Sequence, residues 1–354
     1  MRRKTVATLY AAFCIALLLA GLSLTLYFAW KAGVDESIET LLAIVLSLIL
    51  APTLHELGHV FFSAVCGMEL EYVKFFCFKI VRTRGKLRLR FASPFAPDET
   101  QALPKYGGNM KKRACLYTLG GLIFGGVFAL MVATAAIVLS CFEINALFLW
   151  GVLPYAAYLF LLNVIPIEYP GGKTDALVCQ GLKKGESAER NMLAAMEIQG
   201  RLYAGESFAE IDENLYFSSP QLCEDEPLYA VMLDLQYRYY LEKNELEKAA
   251  DKLNRLASAQ AYLGDCEVER IAAELTYMHS LNGDMERAKD CSKLCETYLR
   301  GEEAAAKRAL AAYCKAFGKE DAVEALIEQA KDVLRSERIK GKAKAERILL
   351  ARLV

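Results

Sequence analysis

From Thr40 to Leu54 the chain carries no charge, and the next five residues are His55-Glu56-Leu57-Gly58-His59. After them the sequence is apolar again, from Val60 to Met68. Two imidazoles and a carboxylate are costly in a segment suited to a bilayer, so their presence argues for work done at membrane depth. On a helix His55 and His59 fall one turn apart on the same face, within reach of one metal ion. Neutral imidazole nitrogens suit zinc, and a catalytic zinc takes three protein ligands and a water. Glu56 is off the ligand spacing and stands where it can take a proton from that water as general base. Gly58 removes a side chain beside the pair and allows close backbone approach. With only 3 histidines in the chain, two of them here, histidine is too scarce for the pattern to be incidental.

The 354 residues suffice for two or more domains. The formal net charge of -1 hides two unlike halves: long uncharged runs up to about Cys179, and a charged, helix-patterned region beyond Lys183. Four runs match the roughly 20 residues needed to cross a bilayer: about 5–30, 40–66, 114–142 and 144–167. The first follows Arg2, Arg3 and Lys4, but its apolar stretch is too long for a signal peptide and no small-residue cleavage site ends it, so it reads as a retained span. Basic residues crowd the N-terminus and the loop between spans two and three, from Lys74 to Arg113. The connections expected on the other side are short and acidic, with Asp35, Glu36 and Glu39 in one and Glu143 in the other. Four spans with both termini in the cytoplasm, in a bacterial plasma membrane, satisfy this asymmetry. The 11 cysteines fall in spans or in predicted cytoplasmic parts, where thiols stay reduced. Cys291 and Cys295, near His279, read as buried small apolar residues rather than a second metal site.

Two histidines leave one protein ligand unassigned. The segment after span four, Asn163 to Ala176, offers two acids, Glu168 and Asp175. Here the sequence resembles the site-2 proteases, membrane-embedded zinc metalloproteases of regulated intramembrane proteolysis. Their first motif is H-E-x-x-H within a span. Their second is N-x-x-P at the end of a later span, followed shortly by an Asp-Gly pair. Asn163, Pro166 and Asp175 match the second motif, and the resemblance covers span two to about Cys179. It implies His55, His59 and Asp175 as ligands of one zinc ion, Glu56 as catalytic base, and Asn163 beside the site holding substrate backbone. Two departures stand out: Ala176 replaces the family's glycine, and the gap from Pro166 to Asp175 is long and holds Pro170-Gly171-Gly172.

Between spans two and three, Leu87, Leu89 and Phe91 alternate with Lys86, Arg88 and Arg90, and Arg84-Gly85 supplies a turn. The expectation is a β-hairpin over about 69–92, apolar on one face and cationic on the other. An edge strand beside the metal would pair with an extended substrate, and the same hairpin would be attracted to anionic lipid. Gly120-Gly121 and Gly125-Gly126 in span three read as close helix packing, and Pro154 as a kink in span four.

In the C-terminal half, Phe208-Ala209-Glu210-Ile211, Leu246-Glu247-Lys248-Ala249, Met285-Glu286-Arg287-Ala288 and Ala322-Val323-Glu324-Ala325 each follow a turn-like stretch. Tyr203, Tyr240, Tyr277 and Tyr313 precede them. The pattern looks like loosely kept tetratricopeptide-type hairpins, an α-solenoid whose concave face takes a cytoplasmic protein or peptide.

The expected fold is therefore mainly α. A polytopic membrane region with a small β-hairpin occupies 1–185, and a soluble α-helical repeat domain occupies 186–354. The expected function is intramembrane zinc endopeptidase acting on membrane-protein substrates, with the lipid bilayer as surroundings and no nucleic acid as partner. The alternative is an inactive homologue that anchors the helical module. A transporter is disfavoured, because the spans carry no charged residue besides those of the motif.

Overall fold

In a bilayer only helices and closed barrels satisfy their own backbone hydrogen bonds, so long apolar runs become helices. The computed structural model describes all residues except 1, 84, 170, 171, 225 and 260–264. Four helices are long and apolar enough to cross a membrane: α1 (Arg2–Ala32), α2 (Val34–Val65), α3 (Met110–Cys141) and α4 (Leu147–Val164). The 18 residues of α4 span about 27 Å at 1.5 Å each, close to a hydrocarbon core of about 30 Å.

Two of these differ from expectation at their ends. Only Gly33 separates α1 from α2, and Asp35, Glu36 and Glu39 lie within α2, not in a loop. Asp35 and Glu36 occupy the first turn, where a helix's positive end favours acids. Pro154 lies inside a continuous α4, and its ring packs 3.2 Å from the Cβ position of Gly21 on α1.

Between α2 and α3 the chain forms β1 (Met68–Phe75), β2 (Phe78–Thr83), β3 (Lys86–Phe91) and β4 (Glu99–Pro104), one sheet in the order β3-β2-β1-β4. The region expected as a single hairpin, about 69–92, thus supplies three strands of a four-stranded sheet. Its β2–β3 register pairs Phe78 with Phe91 and Ile80 with Leu89 on one face. Lys79 with Arg90 and Val81 with Arg88 form the other. Gly85, at φ 75°, supplies the turn, while Arg84 lies outside the described residues. Buried Lys74 on β1 donates to the Ala96 carbonyl at 2.6 Å and to Asp98 at 3.0 Å. Asp98 also accepts from the Phe76 amide, so the loop leading into β4 is pinned to β1.

After α4 come a short ribbon, β5 (Glu168–Tyr169) and β6 (Gly172–Lys173), and α5 (Asp175–Lys184). These elements belong to one compact unit, 1–103 with 109–186.

The second unit comprises 104–108 with 187–354. Its helices are α6 (Ser187–Ala204), α7 (Asn214–Phe217), α8 (Pro227–Glu242), α9 (Leu246–Ser258), α10 (Asp265–Leu281), α11 (Met285–Leu294), α12 (Glu296–Leu299), α13 (Ala304–Ala316), α14 (Glu320–Arg335) and α15 (Lys340–Ala351). Consecutive helices pack as the pairs α8–α9, α10–α11 and α13–α14. Asn244, Gly283 and Gly318 take the positive φ that each sharp turn requires. The stretch Phe208 to Ile211, expected to open a helix, forms turns instead, and Phe208 and Ile211 are buried under α6 and α8 side chains. At the centre of this unit lies fully buried Arg308, which bonds both oxygens of Glu274 at 2.8 and 2.9 Å and Glu346 at 2.8 Å, over the ring of Tyr277. Tyr237 donates to Glu274 at 2.7 Å. Two carboxylates and one aromatic ring converge on the guanidinium, which offsets the cost of burying its charge.

Candidate metal centre

His55 and His59 stand on the last third of α2, one turn apart, and their Nε2 atoms are 3.4 Å from each other. The Oδ2 of Asp175, the first residue of α5, lies 3.2 Å from His55 Nε2 and 3.5 Å from His59 Nε2. Among the described residues this is the only group of three His, Cys, Asp or Glu close enough to share an ion. Asp175 Oδ2 is buried and accepts no hydrogen bond, an unsatisfied carboxylate oxygen that calls for a partner. A tetrahedral zinc with bonds of about 2.0–2.1 Å has ligand–ligand edges of about 3.3–3.4 Å. The three edges of the cluster, 3.4, 3.2 and 3.5 Å, scatter about that value, and two imidazole nitrogens with a carboxylate oxygen are a donor set zinc accepts.

Three features build the cluster. First, α2 and α3 pack backbone to backbone at Gly58 and Gly120: a Cβ on Gly58 would lie 2.2 Å from the Gly120 carbonyl oxygen. Gly58 therefore does permit close approach, and the approaching chain is α3. Second, Gly121 faces the histidines. A Cβ there would stand 2.5 Å from the Nε2 of both His55 and His59, so the missing side chain leaves open the space the ligand atoms border. Third, the Tyr117 carbonyl on α3 lies 2.9 Å from His59 Nδ1. A carbonyl only accepts, so Nδ1 carries the proton and Nε2 presents its lone pair to the cluster.

The long connection from Pro166 to Asp175 is taken up by the β5–β6 ribbon, which pairs Glu168 with Lys173 and turns the chain back. Pro170 and Gly171 lie outside the described residues. Thr174 closes the ribbon. Its hydroxyl donates to the Ile165 carbonyl at 2.8 Å and accepts from the amides of Ile167 and Leu177, which caps α5 and aims Asp175 inward. Glu168 is exposed on the ribbon, so of the two candidate acids Asp175 is the one at the histidines. Ala176 is the second residue of α5, a helical position that suits alanine.

Glu56 is buried one residue after His55, and its Oε2 accepts from the Thr100 hydroxyl at 2.6 Å. Asn163 lies in the last turn of α4, where its amide donates to the Leu159 carbonyl at 3.1 Å. Among the described residues it makes no hydrogen bond to the cluster. Cys295 is buried against Thr276, with its thiol turned to the Cys291 carbonyl, and His279 faces Asp284.

Thr100, Tyr117 and Gly121 were not singled out by the sequence reading as site residues. Gly121 had a signal, the paired glycines of span three, but that signal also fits plain helix packing, which is what Gly120 does. Thr100 and Tyr117 had none. Comparison with protein-family models, with curated proteins and with solved structures found no match.

Proposed function

We propose that the chain is an intramembrane zinc endopeptidase of the site-2 protease type, hydrolysing peptide bonds in or near transmembrane segments of membrane-protein substrates. The observation that carries this reading is the His55–His59–Asp175 cluster, with Glu56 beside it, between helices long and apolar enough to cross a membrane. A bound zinc would polarise the scissile carbonyl and bring the pKa of a coordinated water to roughly 7.

His55, His59 and Asp175 would hold the ion. Glu56 would take the proton of the attacking water and pass it to the leaving amine nitrogen, the general acid–base role. The apolar residues of α2, α3 and α4 limit bulk water around this exchange, which strengthens each charge interaction inside. A helical substrate must unwind locally, since its carbonyls are otherwise hydrogen-bonded. Strand β4, whose Thr100 touches Glu56, lies at an edge of the sheet, where an extended segment can add as a strand. Asn163 would contribute at the rim of the site.

The basic N-terminus and the basic sheet region favour cytoplasmic termini in a bacterial plasma membrane. The helical pairs from α8 to α14 fit a tetratricopeptide-like solenoid that recruits a cytoplasmic protein or peptide. The competing reading is an inactive scaffold that anchors the helical module, which draws on Ala176 standing where the family has glycine; Ala176 takes an ordinary helical position in α5.

The test is Glu56→Gln. The variant should keep zinc and lose cleavage, so membrane proteins that accumulate uncleaved in cells carrying it are candidate substrates. Equal cleavage by the variant and the unmutated protein would remove Glu56 as the base and the reading with it.

A further inference from the structure

Three hydrogen bonds link four residues, from a histidine of the cluster to the carboxylate beside it. His59 Nδ1 donates to the Tyr117 carbonyl at 2.9 Å. The Tyr117 hydroxyl donates to the Thr100 carbonyl at 2.6 Å. The Thr100 hydroxyl donates to Glu56 Oε2 at 2.6 Å. The path passes through α2, α3 and β4, and it returns to α2 three residues before it began. Glu56 Oε1 accepts no hydrogen bond among the described residues, so one oxygen of the carboxylate is held and the other is left for a proton.

A glutamate has three rotatable side-chain torsions, and the last is broad and roughly two-fold. Nothing on α2 itself fixes the carboxylate plane. A short hydroxyl-to-carboxylate bond does fix it, and such charge-assisted bonds are roughly twice as strong as neutral ones. The donor is held in turn from the other side: Tyr117 restrains the Thr100 backbone, while Lys74 and Asp98 pin the loop that enters β4.

We infer that Thr100 is a positioning residue for Glu56: its hydroxyl orients the carboxylate toward the metal-binding cluster, and Tyr117 couples that orientation to the ring of His59. This inference rests on the protease reading. It also makes β4 a working part of the site, because any movement of that strand moves the group that aims the base.

The experiment compares the full-length protein with Thr100→Val, which keeps the shape and removes the hydroxyl, and Thr100→Ser, which keeps the hydroxyl. Three quantities are read: bound zinc, kcat and KM for a membrane-protein substrate, and the infrared carboxylate bands of metal-free protein, with Glu56 assigned by difference from Glu56→Gln. Thr100→Val should bind zinc normally and keep KM while kcat falls by about 10- to 100-fold, the usual loss when an outer-shell partner is removed. The Glu56 band should shift in Thr100→Val and return to its position in Thr100→Ser, along with kcat. Unmutated kcat in Thr100→Val, with the Glu56 band unmoved, would overturn the inference. So would a loss in Thr100→Val that Thr100→Ser fails to rescue. If the unmutated protein neither binds zinc nor cleaves, the protease reading fails, whereas the infrared comparison in metal-free protein still decides whether Thr100 orients Glu56.

Discussion

Gly121→Ala puts one methyl group into the space bordered by the cluster, and its effect can be worked from distances. The added Cβ would stand 2.5 Å from His55 Nε2, 2.5 Å from His59 Nε2 and 2.6 Å from His55 Cε1. Ordinary contact begins near 3.4 Å, so both rings must retreat by about 0.9 Å or α3 must move away. Helix α3 has little freedom to do so, because its Gly120 is already in backbone contact with Gly58 on α2. Metal–ligand distances tolerate only about ±0.2 Å, and the displacement is several times that. The expected result is a loss of zinc affinity of at least 10- to 100-fold, the scale seen when even outer-shell support of a site is lost. Gly125→Ala is the matched control: it lies one turn further along α3, and its Cβ would meet His55 Nδ1 at 3.7 Å, an ordinary contact. Both variants add the same methyl to the same helix, so general effects on membrane insertion cancel. The assay is zinc retention in detergent or nanodiscs against a chelator of graded strength. Unmutated affinity in Gly121→Ala, or equal losses in the two variants, would refute the placement of Gly121 over the ligand atoms.

Three further outcomes follow from the structure. Thr174→Val removes the cap of α5 and the bond to Ile165, which should cost about 1 kcal/mol and weaken zinc binding while His55 and His59 remain able to bind; unchanged affinity would show that Asp175 is aimed by something else. Arg308→Ala leaves Glu274 and Glu346 buried without their partner and should destabilise the helical unit by about 3–5 kcal/mol, seen as a lowered unfolding transition of 187–354. Burial would raise the carboxyls of Asp234 and Glu274, but Arg238 and Arg270 around the first, and Arg308 and Arg238 around the second, outweigh it and hold both below the ordinary carboxylate range. Their contribution to stability is therefore complete above about pH 4–5 and drains away as pH falls through and below that range, so an acid titration followed by circular dichroism should show helix loss as pH falls below about 4.

The four apolar runs were legible as helices because a bilayer-length run without charges has no other stable outcome. Their ends were not legible. The helix of α2 continues past the apolar run to take in Asp35 and Glu36, since acids at a helix N-terminus stabilise it whatever lies further along. Strand β4 was invisible for a different reason: Glu99-Thr100-Gln101-Ala102-Leu103-Pro104 lacks alternation and ends in proline, and it is a strand because it adds to β1. The reading of residues left Glu168 and Asp175 both open as the third ligand. Their difference depends on a two-stranded ribbon that turns Glu168 outward and delivers Asp175, a matter of chain path rather than residue type. Gly121 was hardest of all, because its contribution is an absent side chain. The histidine pair and Glu56 were the easiest, since one helical turn and an apolar setting leave few alternatives. Phe208 to Ile211 shows the limit of repeat reading: the residues kept the apolar pattern, yet Gly205 at φ 114° and the turns after it use them to fill the core without a helix.

The most direct test of the metal centre is the zinc content of the purified full-length protein, measured beside Asp175→Ala and His59→Ala. One zinc per chain is expected in the unmutated protein, with loss in both variants. An unmutated protein with almost no zinc, or an Asp175→Ala variant that holds it as tightly, would contradict the assignment of His55, His59 and Asp175 as one metal site.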